Sequence, residues 1–101
     1  MNTFNALADP TRRKIVELLS DSDKSVNELA THFDCSQPAI SQHLKKLNSA
    51  GLVNIEKQAQ KRIYKLDPQG FIELEIWMAK VKQYWNPRLD KLESELNKGE
   101  D

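Results

Sequence analysis

Residues 36–51, Ser-Gln-Pro-Ala-Ile-Ser-Gln-His-Leu-Lys-Lys-Leu-Asn-Ser-Ala-Gly, decide how the chain folds. Ile40, Leu44 and Leu47 recur at spacings of 4 and 3, one apolar stripe of an α-helix. Ser36 is a natural N-cap, Pro38 is tolerated in the first turn, and Gly51 stands where a left-handed residue ends a helix. With the stripe turned inward, a rotation of about 100° per residue puts Pro38, Gln42, Lys45, Lys46 and Ser49 on the opposite side. Gln37 and Ser41 flank them near the start. No acidic residue lies on this helix. Hydroxyl and amide side chains in such positions can hydrogen-bond base edges, and lysines can meet phosphate. The competing reading is a merely solvated amphipathic helix, which would ordinarily carry some Glu as well.

Upstream, Ser25-Val26-Asn27-Glu28 is a capping box. Val26, Leu29, Ala30 and Phe33 follow at i, i+3, i+4 and i+7, which predicts a helix of about eight or nine residues and a tight link at Asp34-Cys35. Earlier still, Asp9 caps and Pro10 opens a helix whose buried side is Ile15, Val16, Leu18 and Leu19. Phe4, Leu7 and Ala8 suggest a short helix before it, and residues 20–23 form a polar stop. Downstream, Val53 and Ile55 alternate with polar residues, as do Tyr64 and Leu66, so two short strands are expected. The linking residues 57–61 contain no Gly, Asn or Asp, which argues against a two-residue turn and for a longer, mobile hairpin. After Asp67-Pro68, the residues Leu74, Met78, Val81, Trp85, Leu89, Leu92 and Leu96 form a near-heptad stripe interrupted by Pro87, so one kinked helix or two are expected.

Two short helices joined by a turn of about three or four residues, then a basic hairpin, make a helix-turn-helix with a wing. The expected fold class is mainly α with a small two-stranded β-wing. At 101 residues the chain makes one domain, with the helix-turn-helix at 25–50, the wing at 52–66 and C-terminal dimerisation helices at 68–97. Apolar residues are 39% and charged residues 30%, as in an ordinary globular domain. The longest uncharged run, Cys35 to Leu44, is ten residues, too short to span a membrane. The single Cys35 and the lack of a basic-then-apolar N-terminal segment make the cytoplasm the simplest location.

The net charge of zero hides a strong asymmetry. Residues 1–35 carry four basic and six acidic side chains, and residues 67–101 carry five and eight. Between them Lys45, Lys46, Lys57, Lys61, Arg62 and Lys65 face Glu56 alone, a net charge of +5. One basic surface on an otherwise acidic molecule suits double-stranded DNA. The candidate base readers are Gln37, Ser41 and Gln42, and the candidate phosphate contacts are Lys45, Lys46, Lys61 and Arg62. Arg12, Arg13 and Lys14 are further phosphate candidates, or simply surface cover.

Two segments together, Ala8-Asp9-Pro10-Thr11-Arg12-Arg13-Lys14-Ile15 and Ser36-Gln37-Pro38-Ala39-Ile40-Ser41-Gln42-His43-Leu44-Lys45, resemble the ArsR-type family of dimeric winged-helix repressors. The resemblance implies that helix 36–50 enters the major groove and the hairpin contacts flanking DNA. It also implies that the terminal helices form a dimer interface, here Phe4, Leu7, Leu74, Trp77, Met78, Val81, Trp85, Leu89 and Leu92, on a partly palindromic operator. The family's Cys-x-Cys metal pair is replaced by Ser25 and Asn27, and no His or Cys follows His43, so no metal and no other cofactor is expected. His32 and Cys35 are too few ligands for a closed zinc site within one subunit. Cys35, beside a helix start, is a candidate redox sensor, though a small packing cysteine is the plainer reading. The aromatic residues of the C-terminal helix could instead line an effector pocket. Enzymatic readings have no support: the glycines at 51, 70 and 99 are scattered, and no nucleophile–base arrangement is recognisable. The alternatives to a homodimeric repressor are a protein-interaction winged helix and a ligand-sensing regulator.

Overall fold

The computed structural model describes the backbone of residues 2–99 and the side chains of residues 2–85. Helix α1 spans Thr3–Ala6 and α2 spans Pro10–Asp21. The Asp9 carboxylate caps α2 by accepting from the backbone N–H groups of Thr11 at 2.8 Å and Arg12 at 3.1 Å. Next come strand β1, Lys24–Ser25, and α3, Val26–Ala30. The capping box is complete: Ser25 Oγ accepts from the Glu28 N–H, and Glu28 Oε1 accepts from the Ser25 N–H, each at 3.2 Å.

Helix α3 is shorter than its apolar spacing predicts. After Ala30 the chain tightens, with the His32 N–H bonded to the Leu29 carbonyl and the Phe33 N–H to the Ala30 carbonyl, an i−3 pattern. The Thr31 hydroxyl also takes the Glu28 carbonyl at 2.7 Å, competing with helix continuation. Phe33 still packs on the core, but from a connection that runs over residues 31–36. Helix α4 then spans Gln37–Ser49 with Ser36 as its cap. Its end is a Schellman motif: the Gly51 N–H reaches the Asn48 carbonyl and the Leu52 N–H the Leu47 carbonyl, both at 3.0 Å, with Gly51 at φ 79°.

Strands β2, Val53–Gln58, and β3, Lys61–Leu66, form the wing. The sheet has three antiparallel strands rather than two, in the order β1-β3-β2. Lys24 pairs with Tyr64 and Ser25 with Ile63. Ser25 therefore belongs to the edge strand and caps α3 at the same time. The hairpin also departs from expectation. Pairing continues to Gln58 opposite Lys61, leaving Ala59-Gln60 as a two-residue turn. Six consecutive cross-strand pairs hold Ala59 at φ 56°, a conformation costing a non-glycine residue about 1–2 kcal/mol. The ladder overrides local turn preference.

Beyond the wing, the 3-10 turn Pro68–Phe71 leads into α5, Ile72–Gly99, a single helical element that includes Pro87. The core lies under the sheet and between the helices. Ile15, Leu29, Ile40, Leu44, Leu47, Leu52 and Val53 are fully enclosed, and Tyr64 nearly so. Arg12, only 8% exposed, threads this junction. Its Nε donates to the Ala6 carbonyl at 2.6 Å, Nη2 donates to the Asn5 carbonyl, and Nη1 faces His43 Nδ1 at 3.4 Å. A guanidinium can only donate, so His43 Nδ1 is the acceptor. Arg12 thus clamps the end of α1 to α4 and, being buried there, is not the phosphate contact expected from sequence. Among the described residues no helix is long and apolar enough to cross a membrane.

Candidate nucleic-acid interface

The burial of Ile40, Leu44 and Leu47 fixes the rotation of α4 about its axis. Every residue assigned to the outer face is then exposed: Gln37, Pro38, Ser41, Gln42, Lys45, Lys46 and Ser49. The face runs the length of the helix without a carboxylate.

Wing residues are sorted by the pleat, since neighbours along a strand point to opposite faces. Ile55 pairs with Tyr64 and Lys57 with Arg62, placing these four on the face that continues the core pair Val53 and Leu66. That face meets α4 in a shallow cleft lined by Ser41, Gln42, Lys45, Asn48, Ile55, Arg62 and Tyr64. Asn48 helps fix the junction, its Nδ2 donating to the Val53 carbonyl at 2.8 Å. Lys61 lies on the other face, opposite Gln58, and lines a second cleft with Ser25, Val26, Asn27, Glu28 and Gln60. Lys65, on that same face, is paired to Glu56 at 3.2 Å.

The structure therefore brings Gln42, Ser41, Lys45 and Arg62 together and leaves Lys61 apart. Lys46 and Gln37 lie on the exposed face of α4 but do not line the cleft. Ile55, Tyr64 and Asn48 were not singled out from sequence; the two-residue alternation from Val53 carries the signal for Ile55, but only the strand register reveals it. Arg13 and Lys14 are engaged within the fold. Arg13 Nη1 donates to the Leu7 and Ala8 carbonyls, and Lys14 Nζ donates to the His32 carbonyl at 2.9 Å while lying over the Phe33 ring.

The two capping carboxylates are electrostatically tuned. For Asp9, burial is the largest single influence and raises its pKa. The N–H bonds from Arg12 and Thr11, with the neighbouring Arg12 charge, outweigh it and hold the carboxyl below its usual range. Glu28 is lowered chiefly by the Ser25 backbone N–H and hydroxyl, with help from Lys61 and Lys24. A carboxyl whose folded pKa is depressed stabilises the fold above its unfolded value and loses that contribution as pH falls through the folded value. The contribution of these two caps to the melting temperature is expected to be constant from neutrality to about pH 5 and to be lost below about pH 4. Asp9→Asn combined with Glu28→Gln should flatten part of that acid limb in a thermal-melt series. An unchanged acid limb in the double variant would remove these two caps as its source.

His32 and Cys35 are both exposed, and among the described residues no group of three His, Cys, Asp or Glu side chains is placed to hold a metal ion. The residues assigned to an interface lie along α1 and α5. Phe4, Trp77, Met78 and Trp85 are exposed, as are Ile72 and Ile76, which sequence reasoning left out. Phe4 and Trp77 meet edge to face at 5.6 Å. Leu74 and Val81 are half-buried, and Leu7 packs partly on the core. Leu89 and Leu92 lie outside the described side chains.

Known proteins agree with this architecture. Residues 9–54 match the model of the bacterial regulatory protein, arsR family. The chain is 42% identical over 86 residues to the HTH-type transcriptional regulator Rv2034 of Mycobacterium tuberculosis, covering 85% of this chain and 78% of that protein. It is 38% identical over 77 residues to the transcriptional repressor SdpR of Bacillus subtilis, covering 76% and 86%. The crystal structure of a possible transcriptional regulator for arsenical resistance superimposes with a TM-score of 0.73 at 42% identity, covering 94% of this chain and 96% of the other. A winged helix-turn-helix with an exposed, acid-free outer face on α4 and these relatives has one place: the chain belongs to the ArsR family of DNA-binding transcriptional regulators.

Proposed function

We propose that the protein is a homodimeric, cytoplasmic repressor that binds a partly palindromic operator, its own promoter or a neighbour's. The observation that carries this reading is the carboxylate-free outer face of α4 sharing a cleft with the basic face of the wing. Gln37, Ser41 and Gln42 read base edges in the major groove, and Lys45, Lys46 and Arg62 hold phosphates. Lys61 reaches the flanking strand from the far side of the hairpin tip. The dimer uses the exposed apolar residues of α1 and α5, Phe4, Ile72, Ile76, Trp77, Met78 and Trp85, since large apolar side chains grouped on a surface mark interaction sites. Leu7, Leu74 and Val81 border this surface, and Leu89 and Leu92 continue the stripe by sequence spacing. Two subunits place two α4 helices in successive major grooves, about 34 Å apart. A dimer on the promoter excludes the transcription machinery; the Bacillus subtilis relative is named as a transcriptional repressor.

Fluorescence anisotropy on duplex from upstream of the gene, against scrambled duplex over a salt series, tests the reading. A dimer neutralising about six to eight phosphates gives a log–log slope of roughly −5 to −7. The upstream duplex should be preferred by on the order of a thousandfold. Ser41→Ala with Gln42→Ala should cost on the order of 1–3 kcal/mol per lost base contact, on the upstream duplex only. Equal weakening on both duplexes would remove these residues from base reading, and no binding by the native protein to either duplex would overturn the assignment to DNA.

A further inference from the structure

Tyr64 is only 6% exposed, yet its hydroxyl makes no hydrogen bond within the described residues. Nor is that oxygen sealed in the core, because among the described residues no enclosed side-chain oxygen or nitrogen lacks a partner. The ring is therefore packed on the core while the phenol oxygen keeps contact with solvent, and Tyr64 lines the cleft between α4 and the wing. Beside it stands Ile55, its cross-strand partner, an aliphatic side chain left 45% exposed. Lys45 and Arg62 border the same cleft, and no carboxylate lines it. A fixed neutral donor, an apolar floor and two cations make a poor surface for water alone.

Resting on the reading of α4 as the major-groove helix, we propose that this cleft seats one sugar–phosphate unit of the DNA backbone. When a helix lies in the major groove and a hairpin reaches the adjoining minor groove, the strand between the grooves must pass between helix and hairpin. In this protein that passage is the α4–wing cleft. The Tyr64 hydroxyl donates to a phosphate oxygen, Ile55 packs against the deoxyribose, and Lys45 and Arg62 neutralise the charge. The contact is blind to sequence, so it sets the register of the protein on the duplex rather than its choice of bases.

Tyr64→Phe removes one oxygen and keeps the packed ring, so its thermal melt should match the native protein. Anisotropy with the upstream and scrambled duplexes should show both bound roughly three- to tenfold more weakly, the range of a single lost hydrogen bond. The salt slope should be unchanged, because no charge is removed. Ile55→Thr, which keeps the β-branched strand residue, should weaken both duplexes by roughly fivefold, again at constant slope. Native-like affinity of both variants would overturn the proposal while leaving the DNA reading intact. Loss confined to the upstream duplex would overturn it too, by moving these residues to base reading. Failure of the native protein to bind either duplex would overturn the reading on which the proposal rests.

Discussion

Replacing Gly70 with alanine is expected to lower the melting temperature by roughly 12–24 °C, the shift that corresponds to about 3 kcal/mol in a domain of this size. A Cβ at position 70 would overlap the carbonyl oxygen of Gly51 and lie 2.7 Å from the Gly51 carbonyl carbon and 3.1 Å from Leu52 Cα. These are backbone atoms, so no side chain can rotate away. They also belong to the turn that ends α4, where Gly51 and Leu52 close the Schellman bonds and the Asp67 N–H bonds to the Leu52 carbonyl at 2.9 Å. Pushing residue 70 outward would in turn strain the Thr3 hydroxyl bond to the Gly70 carbonyl, 3.2 Å long, which ties α1 to the 3-10 turn before α5. Gly51→Ala is the instructive comparison. A Cβ there meets nothing within 4 Å, and the cost is only that of holding alanine at φ 79°, about 1–2 kcal/mol. Calorimetric or circular-dichroism melts should therefore rank the two variants with Gly70→Ala much the lower. If Gly70→Ala melts within a few degrees of the native protein, the close approach of the two turns is wrong.

The second large effect is on binding. Lys45→Ala with Lys46→Ala removes four positive charges from a dimer, so the log–log salt slope should become shallower by about 3 to 4 if all four face phosphate. Affinity for upstream and scrambled duplexes should fall together, by on the order of a hundredfold at moderate salt. Both side chains are exposed and make no hydrogen bond or ion pair within the described residues, so the melting temperature should hardly move. A slope that stays at the native value would place the phosphate contacts elsewhere on the surface.

Features set by a few adjacent residues were legible in advance. The caps at Asp9, Ser25 and Ser36, the left-handed Gly51 and the buried stripe of α4 are all local chemistry, and the exposed face of α4 follows from the stripe. Features set by distant partners were not. Lys24-Ser25 is too short to show a strand period and becomes one only because Tyr64 and Ile63 lie alongside. Arg12 follows a helix cap, where a long cation ordinarily reaches solvent; its burial depends on carbonyls of α1 and on His43 from α4. The turn at Ala59-Gln60 has unsuitable residues by local preference and is imposed by the ladder. The candidate site divides in the same way. The α4 residues were readable from one helix, whereas the separation of Lys61 from Arg62 and the recruitment of Ile55 and Tyr64 required the register of the hairpin.

Ser25 connects these two halves of the site in a way that bears on how the protein meets its target. As the last residue of the edge strand it is pinned to the wing, and as the cap of α3 it is pinned to the helical motif, with no intervening linker. The helical motif and the hairpin thus work as a caliper locked at one opening. A rigid gauge of this kind leaves the duplex to supply the bending, so base pairs that neither jaw touches still influence fit through their stiffness.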